Sequence, residues 1–106
     1  MTATLTPTEA GAVMSRDHWQ CVLCGTTRGL HTRPRSGPHS ITRSPAHWVT
    51  LCDHCTTYAA ANPRHARRYG LLLRRQDHPE DVPIRVWTPD GHTRMHLTHD
   101  GRRGPA

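Results

Sequence analysis

The sequence predicts a small α+β fold that needs a staple beyond its own apolar core, with a helix at the front and a β-hairpin at the back. Three observations support this. The 106 residues include only fifteen Leu, Ile or Val, three Trp, two Tyr and no Phe, too little apolar matter to hold so short a domain unaided. Four cysteines form two C-x-x-C pairs, Cys21/Cys24 and Cys52/Cys55, separated by 27 residues, a spacing that favours a bound metal. Ile84 and Val86, then Thr93, Met95 and Leu97, alternate on either side of the turn signal Pro89-Asp90-Gly91, the pattern of a hairpin.

The first helix is expected over about residues 7 to 17. Thr6 is a capping residue, Pro7 fits the first helical position, and Glu9 stands where a capping box places its carboxylate. Ala10, Val13 and Met14 line one face. Cys21 to Gly25, "CVLCG", has the form of a metal knuckle whose exit Gly25 permits in the left-handed conformation.

Leu30 to Arg33 is expected to be a short strand. An exposed loop poor in apolar residues follows, and Trp48 to Leu51 form a second strand leading into the second cysteine pair. Asp53 favours the start of a helix over about 53 to 61. Asn62-Pro63 interrupts it and caps another helix, "PRHARRYG", which ends at Gly70. Leu71 to Leu73 return to the core, and "DGRRGPA" is expected to be a frayed basic tail.

The opening "MTATLTPTEAGAVM" lacks the basic start and apolar run of a signal peptide, and no stretch holds eighteen consecutive apolar residues. The expected location is therefore the cytoplasm, with no membrane partner. In a reducing compartment, paired C-x-x-C motifs bind zinc through thiolates in tetrahedral geometry. A thioredoxin-like site would want its C-x-x-C inside a βαβ pattern, which is absent. One structural zinc is expected at Cys21, Cys24, Cys52 and Cys55.

The net charge is +6 with ten histidines counted neutral, and all fourteen basic residues are Arg. The planar guanidinium suits phosphate. A GC-rich genome produces the same lack of Lys, so the excess of positive charge is the better pointer to nucleic acid. Arg33, Arg35 and Arg43 lie on the loop, and Arg64, Arg67 and Arg68 crowd one short helix. These six are the candidate DNA contacts, phosphate-directed and without sequence readout; the plainer alternative is a solvated charged face. Trp19 and Trp48 are expected to be core plugs beside the metal.

"RDHWQCVLCG", "LHTRPRS" and "SPAHWVTLCDHC" together resemble the HNH endonuclease family, in particular the small zinc-containing members of tailed phages of actinobacteria. Those typically run R-D-x-x-x-C-x-x-C, H-H-R-x-P-R and S-P-A-N-L-x-x-L-C-x-x-C-H. The resemblance covers roughly residues 16 to 73, and "YGLLLRRQDHPEDVP" is similar to the tail of many phage members. It implies a ββα-metal, treble-clef core: a hairpin and helix clasping a catalytic divalent ion, braced by a four-cysteine zinc. The family's activity needs a histidine base and side chains that hold the second ion.

Most of those slots are filled by other residues here. The H-H pair corresponds to His31-Thr32, or in a register shifted by one to Leu30-His31; either way one role, base or ligand, is empty. The loop reads H-T-R-P-R, one residue short of the family pattern, and leaves both registers open. The family's Asn corresponds to His47, and its final metal-binding His to Thr56. The helix positions for a further ligand hold Ala59, Ala60, Ala61 and Asn62, of which only the amide of Asn62 could coordinate, feebly. His39, His47, His54 and His65 are spare imidazoles that could join His31 in a rewired centre.

The expected function is therefore a zinc-binding, HNH-like, catalytically degenerate DNA-binding protein, phage-encoded and associated with genome packaging or nucleic-acid handling. Two alternatives remain: a metal-dependent nicking endonuclease with an altered centre, and an adaptor or inhibitor whose basic surface meets an acidic partner such as a terminase or other packaging protein, a host polymerase or a defence protein. The expected organisation is a lead-in over 1–18, the zinc-binding unit over 19–73 and an extension over 74–106.

Overall fold

The computed structural model of the protein describes residues 5–35 and 42–106; His39, on the basic loop, lies outside the described residues. The elements in chain order are α1 (Pro7–Arg16), β1 (Leu30–Pro34), a 3-10 turn (Pro45–His47), β2 (Trp48–Cys52), α2 (Asp53–Ala61), α3 (Pro63–Arg68), β3 (Ile84–Thr88), β4 (Gly91–Leu97) and β5 (Arg103–Pro105). No helix among the described residues is long and apolar enough to cross a membrane.

The expected capping box closes α1. The Thr6 amide donates to Glu9 Oε1 at 2.9 Å and the Glu9 amide to Thr6 Oγ1 at 3.2 Å, satisfying two orphan donors reciprocally. The helix is left through two consecutive left-handed residues, His18 (φ 59°) and Trp19 (φ 53°). Trp19 is 54% exposed. The expectation that it plugs the core is thus corrected, whereas Trp48 is buried.

β1 and β2 pair antiparallel with His31 opposite Leu51 and Leu30 opposite Cys52. Helix α2 begins at the next residue, and the amide of Cys55 donates to Cys52 Sγ at 3.3 Å, so a cysteine sulfur serves as its cap. Asn62 stands at the start of α3 but makes no side-chain cap there; its amide donates instead to the Tyr58 carbonyl at 2.9 Å and closes α2.

The second sheet is antiparallel in the order β3-β4-β5. Its third strand corrects the expectation of a frayed tail: Arg103 pairs with Leu97, and its guanidinium lies 3.6 Å from the buried carboxylate of Asp17. The two sheets are joined through the knuckle. Val22 donates to the Thr50 carbonyl of β2 at 3.0 Å, and its own carbonyl accepts from Trp87 of β3 at 2.6 Å. One apolar cluster therefore runs through both, with Val49 and Leu51 of the first sheet meeting Ile84, Val86 and Leu97 of the second.

Two arginines organise this core. Arg16 makes a two-pronged pair with its neighbour Asp17 (both contacts 2.9 Å) and also donates to the carbonyls of Pro45 (2.8 Å) and Trp48 (2.7 Å); Asp17 accepts from the Thr50 amide at 3.0 Å. The Arg-Asp step thus clamps the entry of β2. Arg35 is fully buried. It donates to the carbonyls of Gly70 (2.8 Å), Ala46 (2.8 Å), Pro79 (2.9 Å) and Val82 (2.6 Å). Burial, with a contribution from Arg16, pulls its pKa down to about 10, so it stays charged at neutral pH. The expectation that Arg35 contacts DNA is corrected: its donors are committed to the backbone.

Candidate functional site

The chain brings Cys21, Cys24, Cys52 and Cys55 together with all four sulfurs within 4.8 Å of one another. Two come from the turn after α1 and two from the junction of β2 and α2. The turn is closed by the Gly25 amide donating to the Cys21 carbonyl at 2.9 Å. Gly25 sits at φ +76°, and a Cβ there would lie 2.4 Å from the Trp87 ring, so both backbone sign and packing demand glycine.

No pair is bonded as a disulfide. Cys24 and Cys52 are 3.7 Å apart at sulfur, far beyond the roughly 2.05 Å of an S–S bond. A tetrahedral ion with metal–sulfur bonds of about 2.3 Å places its ligands about 3.8 Å apart, and the observed separation fits it. Burial pushes the thiols of Cys24 and Cys55 up. At Cys52 burial acts in the same sense, but the Cys55 amide and the neighbouring thiols outweigh it and bring that thiol below its ordinary value. A cation held by these four sulfurs would favour their ionised forms.

Beside this cluster, β1 and α2 flank a groove of about 260 Å³ lined by Arg33, Leu51, Thr56, Ala59, Ala60 and Leu72, among others. The Thr56 hydroxyl donates to the Cys52 carbonyl at 2.9 Å, and the alanines offer no lone pair. Arg33 Nε is buried without a hydrogen-bond partner among the described residues.

His31 is half exposed and its Nε2 lies 2.9 Å from Asp53 Oδ1. His47 is buried and its Nδ1 meets Thr42 Oγ1 at 2.5 Å; it lines a different cleft, with Leu73 and residues 74–79. Burial, then the charges of Arg35 and His99, lower its pKa. His47 also pins the turn before β2 by backbone, accepting from the Arg35 amide at 2.7 Å and donating to the Ser44 carbonyl at 2.9 Å. His31 and His47 are therefore not assembled into one cavity.

The candidate DNA-binding arginines divide. Arg35 is in the core. Arg43 is exposed but grips Glu9 at 2.5 Å. Arg64, Arg67 and Arg68 are exposed on α3, and none has a carboxylate within ion-pair distance among the described residues. His54, between Cys52 and Cys55, is exposed.

Sequence reasoning missed a row of planar groups. Tyr58 stacks on His65 (centroids 5.8 Å, 27° between planes), His65 leans on Tyr69 (6.1 Å, 36°), and the Arg85 guanidinium lies 5.0 Å from the Tyr69 ring centre. The clustering of Tyr and His either side of Asn62-Pro63 was the only available signal.

No family model, curated protein or solved structure matches this chain.

Proposed function

We propose that the protein is a zinc-stabilised, HNH-like treble-clef module that grips DNA phosphates without reading sequence and does not cut them. The scaffold reading is supported by the order knuckle, hairpin and helix, with sulfurs supplied in pairs by the knuckle and the β2–α2 junction. Zinc is the ion that a closed, four-thiolate, tetrahedral site selects. It would be held by all four cysteines and act structurally, with no open position for chemistry.

The apolar groove between β1 and α2 carries the non-cutting half of the proposal. A second, catalytic ion would have to be held there, and Leu51, Ala59 and Ala60 line it instead. DNA gripping is supported by the net charge of +6 and the exposed, carboxylate-free arginines of α3. The resemblance to phage proteins adds, by analogy alone, a role near genome packaging.

Supercoiled plasmid incubated with magnesium, manganese or nickel tests this. Salt-sensitive retardation without nicking is the expected result. Nicking that disappears in a His31→Ala variant would contradict it. That outcome defines a second reading, a rewired metal-dependent nuclease, favoured by one observation: the 2.9 Å His31–Asp53 contact is the carboxylate-oriented imidazole that a general base uses.

A further inference from the structure

Two cavities of about 280 and 270 Å³ adjoin along Tyr69, Arg85 and His92, which line both, and make a two-part groove. Leu23, Cys24, His54, Cys55 and Tyr58 line one end, and Arg68, Thr93 and Arg94 the other. Three arginines face it and no carboxylate lines it.

Its planar groups are held in place before any ligand arrives. His65 is fixed between Tyr58 and Tyr69 by stacking and by a 2.5 Å contact of its Nδ1 with the Tyr58 hydroxyl. Arg85 lies over Tyr69, and its backbone amide donates to the Tyr69 carbonyl at 2.9 Å. His92 donates from Nε2 to the Leu23 carbonyl of the knuckle at 2.8 Å, leaving Nδ1 to accept from Arg85 at 3.5 Å. Prearranged rings and guanidinium planes lose little entropy when a flat ligand stacks on them.

We infer that this groove binds single-stranded nucleic acid, stacking an unpaired base against Tyr58 at the end of the row and seating its phosphate on Arg68 and Arg94. The inference rests on the nucleic-acid reading above and narrows it. Aromatic rings interleaved with arginines are the chemistry that holds single strands, because every base has a face to stack and every nucleotide a phosphate. A base inside a duplex is already stacked on both faces and does not enter a concave pocket. The polarity follows from charge: a divalent ion held by four thiolates would leave two net negative charges beside Cys24 and Cys55, repelling phosphate toward the Arg68 and Arg94 end. An acidic peptide would use the arginines but gain little from the rings.

The test uses the full, zinc-loaded chain and fluorescence anisotropy with a labelled oligothymidylate and a duplex of equal length. The single strand is expected to bind about tenfold more tightly. Tyr58→Ala should lose about tenfold on the single strand, the scale of one stacked base, and leave duplex affinity unchanged. Tyr58→Phe, which keeps the ring, should retain affinity, and zinc content confirms that each variant is folded. Equal affinity for both forms, an unaffected Tyr58→Ala variant, or tighter binding of polyaspartate than of oligothymidylate would each overturn the inference. Salt-sensitive duplex binding in those cases leaves the broader reading standing, whereas no binding of either nucleic acid at low salt removes both.

Discussion

Arg35 Nε donates to the Gly70 carbonyl at 2.8 Å, tying the end of β1 to the turn that follows α3. The same guanidinium holds three further carbonyls from the 3-10 turn and the segment before β3, so one side chain ties together three separate stretches of backbone. Arg35→Met should cost ~3 kcal/mol or more, because buried acceptors lose a charged donor and gain no replacement. Urea unfolding measures it. The folded fraction of that variant should bind DNA as the parent does, since Arg35 reaches no ligand.

The exposed arginines of α3 should behave in the opposite way. Replacing Arg64, Arg67 and Arg68 together by Ala should leave the unfolding free energy within about 0.5 kcal/mol of the parent. It should also flatten the dependence of log affinity on log salt for duplex DNA by roughly 2 to 3, the slope expected for three lost phosphate contacts. Binding titrations across a salt series measure the slope; an unchanged slope would place the phosphate contacts elsewhere.

Glu9 supplies a pH signature. Its hydrogen bond with Arg43, then that from the Thr6 amide, hold its carboxyl at about 2 against an ordinary value of 4.5. A depressed carboxyl stabilises the folded state fully above pH 4.5, and that contribution is lost as the pH falls toward and through 2. Acid titration should therefore loosen the junction between the start of α1 and Arg43 within that window. Glu9→Gln should remove this part of the pH dependence, and carboxylate chemical shifts followed by NMR report it directly. High salt should weaken the effect, as both side chains meet solvent.

Local signals were legible in the sequence where the chain solves a local problem. Thr6-Pro7-Thr8-Glu9 forms the capping box it spells, Gly25 takes the left-handed turn its knuckle needs, and Pro89-Asp90-Gly91 joins β3 to β4. The cysteine spacing brought the four sulfurs together on paper as it does in space. Tertiary satisfaction was hidden. Arg35 sits in a polar run that reads as surface, and its burial depends on carbonyls from residues as distant as Val82. Arg103 looks like tail until β4 and Asp17 receive it. The row of Tyr58, His65 and Tyr69 spans two helices broken at Asn62-Pro63, so no single period reveals it.

Metal content tests the central claim most directly: the four cysteines hold the ion on which the fold depends, and the groove beside them holds no second one. Protein purified without chelator and dialysed against manganese should retain one zinc per chain and no stoichiometric manganese. Complete zinc removal under reducing conditions should abolish the cooperative thermal transition. A metal-free, fully reduced chain that still melts cooperatively, or a second bound ion lost on mutation of His31, would contradict the account.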